Sequence, residues 1–159
     1  MPPTIATCAC SRAGSTGATG ACTARRRCIW GAPNWGDHRH LAGHVPGGWE
    51  DNKIGGGAQM IETDRGWLQI YHGVDAGQRY RLGALLLDLD DPRIVRARLA
   101  QPLAEPVEPY ERSGFFDNVV FSCGALVEGE TLRVYYGAAD RVMALGTVAL
   151  PDLWQAMGG

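Results

Sequence analysis

Cysteine is scarce in the part of the sequence that shows regular hydrophobic patterning. The 159-residue chain has five cysteines, and four of them precede residue 30, which leaves only Cys123 in the patterned region. No disulfide framework therefore holds the body of the protein together, and we expect a reducing, cytoplasmic setting. The spacing of Cys8, Cys10, Cys22 and Cys28 matches none of the usual zinc pairs, so we predict no metal there.

Strong net charge and long apolar runs are also lacking. Charged residues make up 20% of the chain and its formal net charge is −2, so it offers no broad basic field to a nucleic-acid backbone. The longest apolar run, from Leu82 to Leu89, is interrupted by Gly83 and Asp88 and falls far short of the roughly 20 residues that a membrane helix needs. We expect a soluble protein that binds neither nucleic acid nor membrane.

The N-terminal residues contain no signal for a folded core. Residues 1–28 have no acidic residue and no apolar period of either 2 or 3.6. An acid-poor segment with arginines also fits a transit peptide, but no amphipathic face accompanies it, and we prefer a misassigned start or a shifted reading frame. Together with residues 29–48, which are rich in Trp, His, Gly and Pro, they make up an irregular or disordered segment, 1–48, ahead of a domain at 49–159.

From residue 59 onward, short β-rich runs alternate with Gly, Asp and Pro at spacings near ten residues, which predicts an all-β, antiparallel meander. Gly66 and Gly129 supply the positive φ that tight hairpins require. Prolines between residues 99 and 119 interrupt the ladder and indicate a link between two four-stranded sheets, as in two blades of a propeller. Pro151 begins a short helical turn that reaches Met157. The predicted strands are 59–63, 67–74, 80–87, 94–99, 119–126, 132–138 and 142–150.

Lys53 stands just before three consecutive glycines, Gly55 to Gly57. Because glycine lets a backbone approach a ligand closely, this phrase can present an ammonium group and amide hydrogens to an anion such as phosphate. The same residues also describe an ordinary surface lysine on a flexible loop. The residues alone favour that second interpretation, because the phrase is not the Gly-x-x-x-x-Gly-Lys-Ser/Thr phosphate loop.

His72 and Asp140 stand at predicted strand ends, where loops converge. An imidazole at His72 binds phosphate or polarises a sugar hydroxyl, or it is simply satisfied by one backbone carbonyl. Asp140 accepts hydrogen bonds from sugar hydroxyls, or it is only a turn residue.

Further aromatic and histidine residues leave two interpretations open. Six aromatics provide a stacking wall for a pyranose ring or, as is usual at strand positions, belong to the core. The six aromatics are Trp67, Tyr71, Tyr80, Phe115, Phe116 and Phe121.

His38, His40 and His44 are close in sequence but have no obvious carboxylate partner, so we predict no metal site.

The ordered set of phrases from about Trp49 to Ala149 resembles the β-mannoside phosphorylases and related mannosidases of glycoside hydrolase family 130. One phrase is weak evidence, but the set in this order is strong. Its members are Lys53-Ile54-Gly55-Gly56-Gly57, Thr63 with Gly66-Trp67-Leu68, Tyr71-His72-Gly73-Val74, Tyr80 with Gly83, Leu86-Leu87-Asp88-Leu89 with Asp91-Pro92, Glu111 with Gly114, Asn118-Val119-Val120-Phe121, and Tyr135-Tyr136-Gly137-Ala138-Ala139-Asp140.

The resemblance implies the C-terminal part of a five-bladed β-propeller with antiparallel four-stranded blades and a central active-site pocket. Lys53 and His72 match positions that help to hold phosphate in the family, and Tyr80, Phe121 and Asp140 match or lie near positions that line the sugar subsite. The implied partners are a β-mannoside oligosaccharide and inorganic phosphate as co-substrate, with no other cofactor. A homo-oligomer, which family members often form, is also implied.

The phosphorylases that the sequence resembles invert the anomeric carbon. An aspartic acid protonates the leaving oxygen while phosphate attacks the opposite face of the sugar. In the family this acid belongs to N-terminal blades that residues 1–48 do not supply, so we assign no catalytic residue and expect an incomplete chain that is weakly active or inert. Its exposed sheet edges would favour self-association. The alternatives are a β-mannoside hydrolase of the same family and a non-catalytic sugar-binding or structural β domain.

Overall fold

The computed structural model describes residues 39–158, which form two antiparallel β-sheets and two short helices. No helix in this part of the chain is long and apolar enough to cross a membrane. The strands are β1 (Lys53–Gly56), β2 (Ile61–Thr63), β3 (Gly66–Val74), β4 (Tyr80–Leu87), β5 (Val95–Arg98), β6 (Val120–Glu128), β7 (Thr131–Ala138) and β8 (Val142–Ala149). The helices are α1 (Pro109–Arg112) and α2 (Leu150–Ala156).

The first sheet has the strand order β1-β3-β4-β5, and β2 also pairs with β3. Because β4 occupies one edge of β3 along its length, β1 and β2 share the other edge as two halves of an interrupted strand. Ala58, within the interruption, is buried, and the Gln59 side chain donates a hydrogen bond of 2.7 Å to the carbonyl of Ala125. The chain thus leaves the ladder to contact the second sheet.

The second sheet has the order β6-β7-β8, and it adjoins the first where the backbone N–H of Tyr80 donates to the carbonyl of Asn118 at 3.0 Å. Gly129 turns the β6–β7 hairpin with a φ of 59°, and Gly66 begins β3 with a φ of 144°. Both predicted hairpins are confirmed. All seven predicted strands are present with ends shifted by at most two residues, as is the C-terminal helix.

The prediction of two four-stranded sheets is wrong, because the sheets contain five and three strands among residues 39–158. Lys53–Gly56 forms a strand, where the residues alone favoured a loop, and the bare backbone of Gly55 lets it lie close to β3. After β8 the chain enters α2, where Pro151 has no N–H to donate to a ladder. The turn α1 was also missed, although Glu108 and Glu111 form a capping box around it.

The main hydrophobic core lies between the two sheets. Its largest fully buried side chains come from β3 and β4, from β6 and β7, and from α2, which packs against the same core. A smaller core covers the other face of the first sheet, where Trp67, Tyr71, Leu85 and Leu87 pack under residues from Ala42 to Met60 and beyond. The main-core side chains include Leu68, Ile70, Leu82, Val120, Leu132 and Leu153.

A buried ion pair fastens the segment before β1 to this smaller core. Glu50 is 2% exposed and its carboxylate lies 2.5 Å from the guanidinium of Arg98. Arg98 also donates to the Tyr71 hydroxyl at 3.1 Å and to the Gly43 carbonyl at 2.8 Å. Burial and the Glu50 carboxylate raise the pKa of Tyr71, so its hydroxyl stays protonated.

We expect Leu132→Ala to lower the free energy of unfolding by about 2–5 kcal/mol, because Leu132 is fully buried and its truncation leaves a cavity. Leu126→Ala, at a side chain 42% exposed on the adjacent strand, should change it by less than about 0.5 kcal/mol. Urea denaturation of both variants measures the difference. Equal losses would contradict the placement of the core.

Candidate functional site

Near one end of its strands, the core-facing side of the first sheet carries polar side chains in place of apolar ones. Side chains that face each other across an antiparallel pair point to the same side of the sheet. Ile70 belongs to the core, and His72, two residues further along β3, is on the same side. In the register Lys53 and Tyr80 both pair with Val74, so they share this side too.

Four side chains from this edge and from β6 form a contiguous cluster. The Lys53 ammonium lies 5.0 Å from the centroid of the Tyr80 ring, in cation–π geometry. The His72 ring is 6.0 Å from Tyr80, in stacked orientation, and 4.3 Å from Phe121. The structure thus brings the predicted phosphate pair together and sets two of the predicted sugar-subsite residues against it.

The imidazole of His72 lies directly against β1. A Cβ added to Gly55 would stand 2.5 Å from His72 Nε2, so a larger residue at position 55 would displace the ring. His72 Nδ1 is buried and has no hydrogen-bond partner among the described residues. Burial lowers the pKa of His72, and the charge of Lys53 acts in the same direction, while a backbone hydrogen bond at Gly56 opposes both. The ring is therefore neutral at neutral pH and retains hydrogen-bonding capacity.

A cavity of about 560 Å³ opens beside this cluster. Asp140 lies at its rim with an exposed side chain. The cavity joins the predicted sugar-subsite residues into one concave surface of aromatic rings and carboxylates. Its lining consists of Gln78, Tyr80, Phe116, Asp117, Val119, Phe121 and Asp140.

Strained backbone surrounds the cavity. The four non-glycine residues with positive φ among those described are Gln78 at 61°, Asn118 at 59°, Ala139 at 48° and Asp140 at 49°. Two of them line the cavity and the other two are chain neighbours of lining residues. Left-handed backbone is costly for residues with a side chain and concentrates at functional sites.

Hydrogen bonds to Ala139 hold this strained region in place. Its carbonyl accepts from the N–H groups of Phe115 at 2.9 Å and Phe116 at 3.2 Å, and its own N–H donates to the carbonyl of Val119 at 2.9 Å. Gly114 packs against Ala139 so closely that a Cβ would overlap it. The loop with the two phenylalanines is therefore fixed to the turn that presents Asp140.

Arg81 positions the opposite rim of the cavity. It is 8% exposed, and its guanidinium contacts Asp75 at 2.9 Å, Glu105 at 3.3 Å and the carbonyl of Trp49 at 3.0 Å. The β3–β4 turn before Tyr80 is thereby tied to the segment that leads into β1.

Glu111 is the second buried carboxylate near the site, and its role is structural. Its oxygens accept from the Tyr136 hydroxyl at 2.6 Å and from the N–H groups of Val107 at 2.7 Å and Glu108 at 2.8 Å. Burial alone would raise the pKa of Glu111, but these hydrogen bonds outweigh it and lower the pKa. An ionised carboxylate with all these partners is not a proton donor.

Two of the aromatics considered as a sugar wall are core residues. Trp67 is buried on the far face of the first sheet, where its indole N–H donates to the Leu89 carbonyl at 3.1 Å, and Tyr71 is buried beside Arg98. Sequence reasoning missed Gln78 and Asp117 in the cavity lining, because neither stands in a phrase that distinguishes it from turn residues.

The sequence predicts no metal site among His38, His40 and His44, and one of these residues, His38, lies outside the described range. Within residues 39–158 no group of three or more His, Cys, Asp or Glu side chains is arranged to hold a metal ion.

A cation and an imidazole beside a cavity of aromatic rings and carboxylates are typical of a carbohydrate site with an adjoining anion site, here on an all-β scaffold. The model of glycoside hydrolase family 130, described as beta-1,4-mannooligosaccharide phosphorylase, matches residues 32–157. The chain belongs to this family. The match begins before Trp49 and ends after Ala149, so it is longer than the stretch of phrases that carries the resemblance.

Several similar proteins are named as mannoside phosphorylases. The chain is 53% identical over 111 residues to a beta-1,2-mannobiose phosphorylase of Listeria innocua, covering 70% of this chain. It is 44% identical over 120 residues to a 1,2-beta-oligomannan phosphorylase of Thermoanaerobacter, covering 76% of this chain. The solved structure of the Listeria innocua beta-1,2-mannobiose phosphorylase in complex with beta-1,2-mannobiose superimposes with a TM-score of 0.75 and 48% identity over 77% of this chain.

The chain spans only part of these relatives. It covers 31% of the Listeria protein and 40% of the Thermoanaerobacter protein, and 35% of the solved Listeria chain.

We expect His72 to titrate below its ordinary pKa of 6.5 in an NMR pH titration, with the resonance assigned through His72→Gln. Lys53→Met should raise that pKa without restoring it to 6.5, because burial is the larger cause. The unfolded chain takes up this proton first as the pH falls, so the stability contributed by neutral His72 is complete above about pH 6.5 and decreases below it. Titration of His72 above 6.5 in the folded protein would contradict this arrangement.

Proposed function

We propose that the site belongs to an inverting phosphorylase of β-mannosides, in which Lys53 and His72 hold inorganic phosphate and the adjacent cavity holds the mannosyl unit. The observation that supports this best is the convergence of the ammonium group and the imidazole on one side of the sheet, against Tyr80 and Phe121. No cofactor other than phosphate is part of the proposal.

The choice of lysine supports an anion site. Lys53 is the only lysine among the fifteen cationic residues of the sequence, and all the others are arginine. Lysine presents a compact point charge, whereas arginine presents a planar fork, so the two are not interchangeable at a small ligand. A chain that otherwise uses arginine throughout keeps lysine at this one position, beside the cavity.

A neutral His72 suits the arrival of phosphate. The neutral ring donates one hydrogen bond and accepts another, and a phosphate dianion close by favours uptake of a second proton, because an adjacent negative charge raises an imidazole pKa. Lys53 and His72 would then neutralise the nucleophile and orient it toward the sugar.

In the proposed reaction an oxygen of phosphate bonds to the anomeric carbon as the glycosidic bond breaks, and the leaving oxygen takes a proton from a general acid. The products are the shortened saccharide and α-mannose 1-phosphate. Tyr80 and Phe121 would stack on the pyranose ring, and Asp140 would accept hydrogen bonds from its hydroxyls. We assign the general acid to the part of the family fold that this chain does not span, since the buried Glu50 and Glu111 are held by other partners.

The propeller architecture, the cellular location and the oligomeric state are proposals as well. We place the two sheets in the C-terminal part of a five-bladed propeller whose central pocket contains the cavity. The scarcity of cysteine in the folded part supports a cytoplasmic location. A homo-oligomer is proposed from the family resemblance.

Lys53→Met should weaken phosphate binding by about tenfold or more, since a hydrogen bond to a charged group contributes about 1.5–3 kcal/mol. Arg65→Met removes the same charge at the opposite end of β3, where Arg65 lies over Trp154, and should change the affinity by less than about twofold. Calorimetric titration of the purified chain with inorganic phosphate provides the measurement. Equal phosphate affinities of the wild-type chain and Lys53→Met would show that Lys53 does not bind phosphate.

Two glycines of β1 give a matched pair that tests the imidazole. Gly55→Ala places a Cβ against His72 Nε2 and should displace the ring, weakening phosphate binding by about fivefold or more. Gly56→Ala meets nothing within 4 Å and should bind phosphate like the wild type, with a loss below about twofold. If both variants bind phosphate equally well, the position of His72 does not matter for the anion.

Consumption of β-1,2-mannobiose with and without added phosphate separates three activities. A phosphorylase requires phosphate, a hydrolase does not, and a non-catalytic domain consumes nothing. We expect the isolated chain to bind phosphate and to release no more than traces of mannose 1-phosphate, because the general acid lies elsewhere. Rapid phosphorolysis by the isolated chain would contradict that assignment of the acid.

A further inference from the structure

Two buried polar atoms lie over the glycine phrase of β1, and neither has a hydrogen-bond partner among the described residues. One is Nδ1 of His72, and the other is Oγ of Ser122 in β6. Buried polar groups are almost always hydrogen-bonded, because an unpaired group loses its interaction with water and gains nothing in return. Two such atoms beside the candidate anion site indicate a shared interaction.

The glycines of the phrase show where the two side chains lie. A Cβ added to Gly55 would stand 2.5 Å from Nε2 of His72, and a Cβ added to Gly57 would overlap Oγ of Ser122. Positions two residues apart in an extended chain face the same side of a sheet and are about 7 Å apart. His72 and Ser122 therefore occupy neighbouring places on the core-facing side of this segment, one reaching it from β3 and the other from the second sheet.

The two ring nitrogens of His72 have different surroundings. The side chain is partly exposed, but its Nδ1 is buried. A backbone hydrogen bond at Gly56 raises the pKa of His72, so the ring donates this bond to the Gly56 carbonyl. Since Nδ1 has no partner among the described residues, the donor is Nε2, and Nδ1 is then the acceptor of the neutral ring. The buried nitrogen thus needs a hydrogen-bond donor.

The Ser122 hydroxyl is a donor that remains available. Ser122 is 3% exposed, and no carbonyl among the described residues accepts its proton. The amide groups of Gln59 and Gln69, in the adjoining segments, already donate to the carbonyls of Ala125 and Ala58 at 2.7 Å each. One water molecule with two ordinary hydrogen bonds spans about 5.5–6 Å, which suits side chains in neighbouring places over one strand.

We infer that Ser122 is a positioning residue for His72, whose hydroxyl donates through one buried water molecule to Nδ1 and so keeps the proton of the neutral ring on Nε2. Hydrogen bonds to one imidazole nitrogen determine which tautomer is present at the other. The Nε2 proton, beside β1 and therefore on the side of Lys53, is then directed to an oxygen of phosphate. This last step rests on the proposed function, whereas the tautomer itself does not.

The tautomer is measured from the ¹⁵N shifts of the His72 ring in a long-range proton–nitrogen NMR spectrum, at neutral pH in phosphate-free buffer. The wild-type chain should show a protonated Nε2 and a bare Nδ1. Ser122→Ala should move the two resonances toward each other, because the ring then samples both tautomers. Ser122→Thr retains the hydroxyl and should restore the wild-type pattern. The resonances are assigned through His72→Gln.

Cys123→Ala is the matched control, since it removes one heteroatom from the next, exposed side chain of β6. It should leave the tautomer pattern of the wild type unchanged. In calorimetric titration with inorganic phosphate, Ser122→Ala should weaken binding by about threefold or more, as expected for the loss of one hydrogen bond. Cys123→Ala should weaken phosphate binding by less than about twofold.

Four results would overturn the inference. They are a wild-type ring protonated on Nδ1, a tautomer pattern that Ser122→Ala leaves unchanged, a changed pattern that Ser122→Thr does not restore, and a changed pattern in Ser122→Ala with the phosphate affinity of the wild type. A wild-type chain that binds no phosphate but shows the expected tautomers counts against the proposed function and leaves the role of Ser122 in setting the tautomer intact.

Discussion

The contact between the His72 imidazole and the bare backbone of Gly55 is the constraint on which the site depends. It lets β1 pair with β3 at normal spacing while an aromatic ring lies between that strand and the second sheet. Burial of the ring in this position lowers the pKa of His72, and the same pairing places Lys53 one row further along the same side. The pairing of two strands therefore establishes both the geometry and the charge state of the proposed anion site.

The remainder of the structure holds the rim around this contact. Arg81 ties the Tyr80 turn to the segment before β1, and Glu111 ties the proline-rich link to Tyr136 of β7. Left-handed backbone at Ala139 and Asp140 is kept in place by the hydrogen bonds of Ala139 to Phe115, Phe116 and Val119. Strain of this kind concentrates at functional sites, as expected for the rim of a binding cavity.

Much of the fold could be predicted from the sequence, because alternation of apolar residues and turn glycines act locally. The strands and both hairpins follow from such signals, whereas β1 does not, since Lys53-Ile54-Gly55-Gly56 has low strand propensity. Its pairing with β3 is accommodated by Gly55, which leaves room for the His72 ring. The buried network of Glu50 with Arg98 was not foreseen either. Its partners are far apart in the chain, and nothing in the local pattern distinguishes them from surface charges. Lys53 and His72 were identified through the family resemblance, and the strand register explains why they meet.

The central claim is that one phosphate contacts Lys53 and His72 together. Because Lys53 is the only lysine, a lysine-reactive acylating reagent followed by mass spectrometry reports on this one side chain. The account predicts that inorganic phosphate, but not an equal concentration of chloride, slows the modification of Lys53 in the wild-type chain, and that His72→Gln abolishes most of this protection. Modification at the same rate with and without phosphate, or protection that is unchanged in His72→Gln, would contradict it.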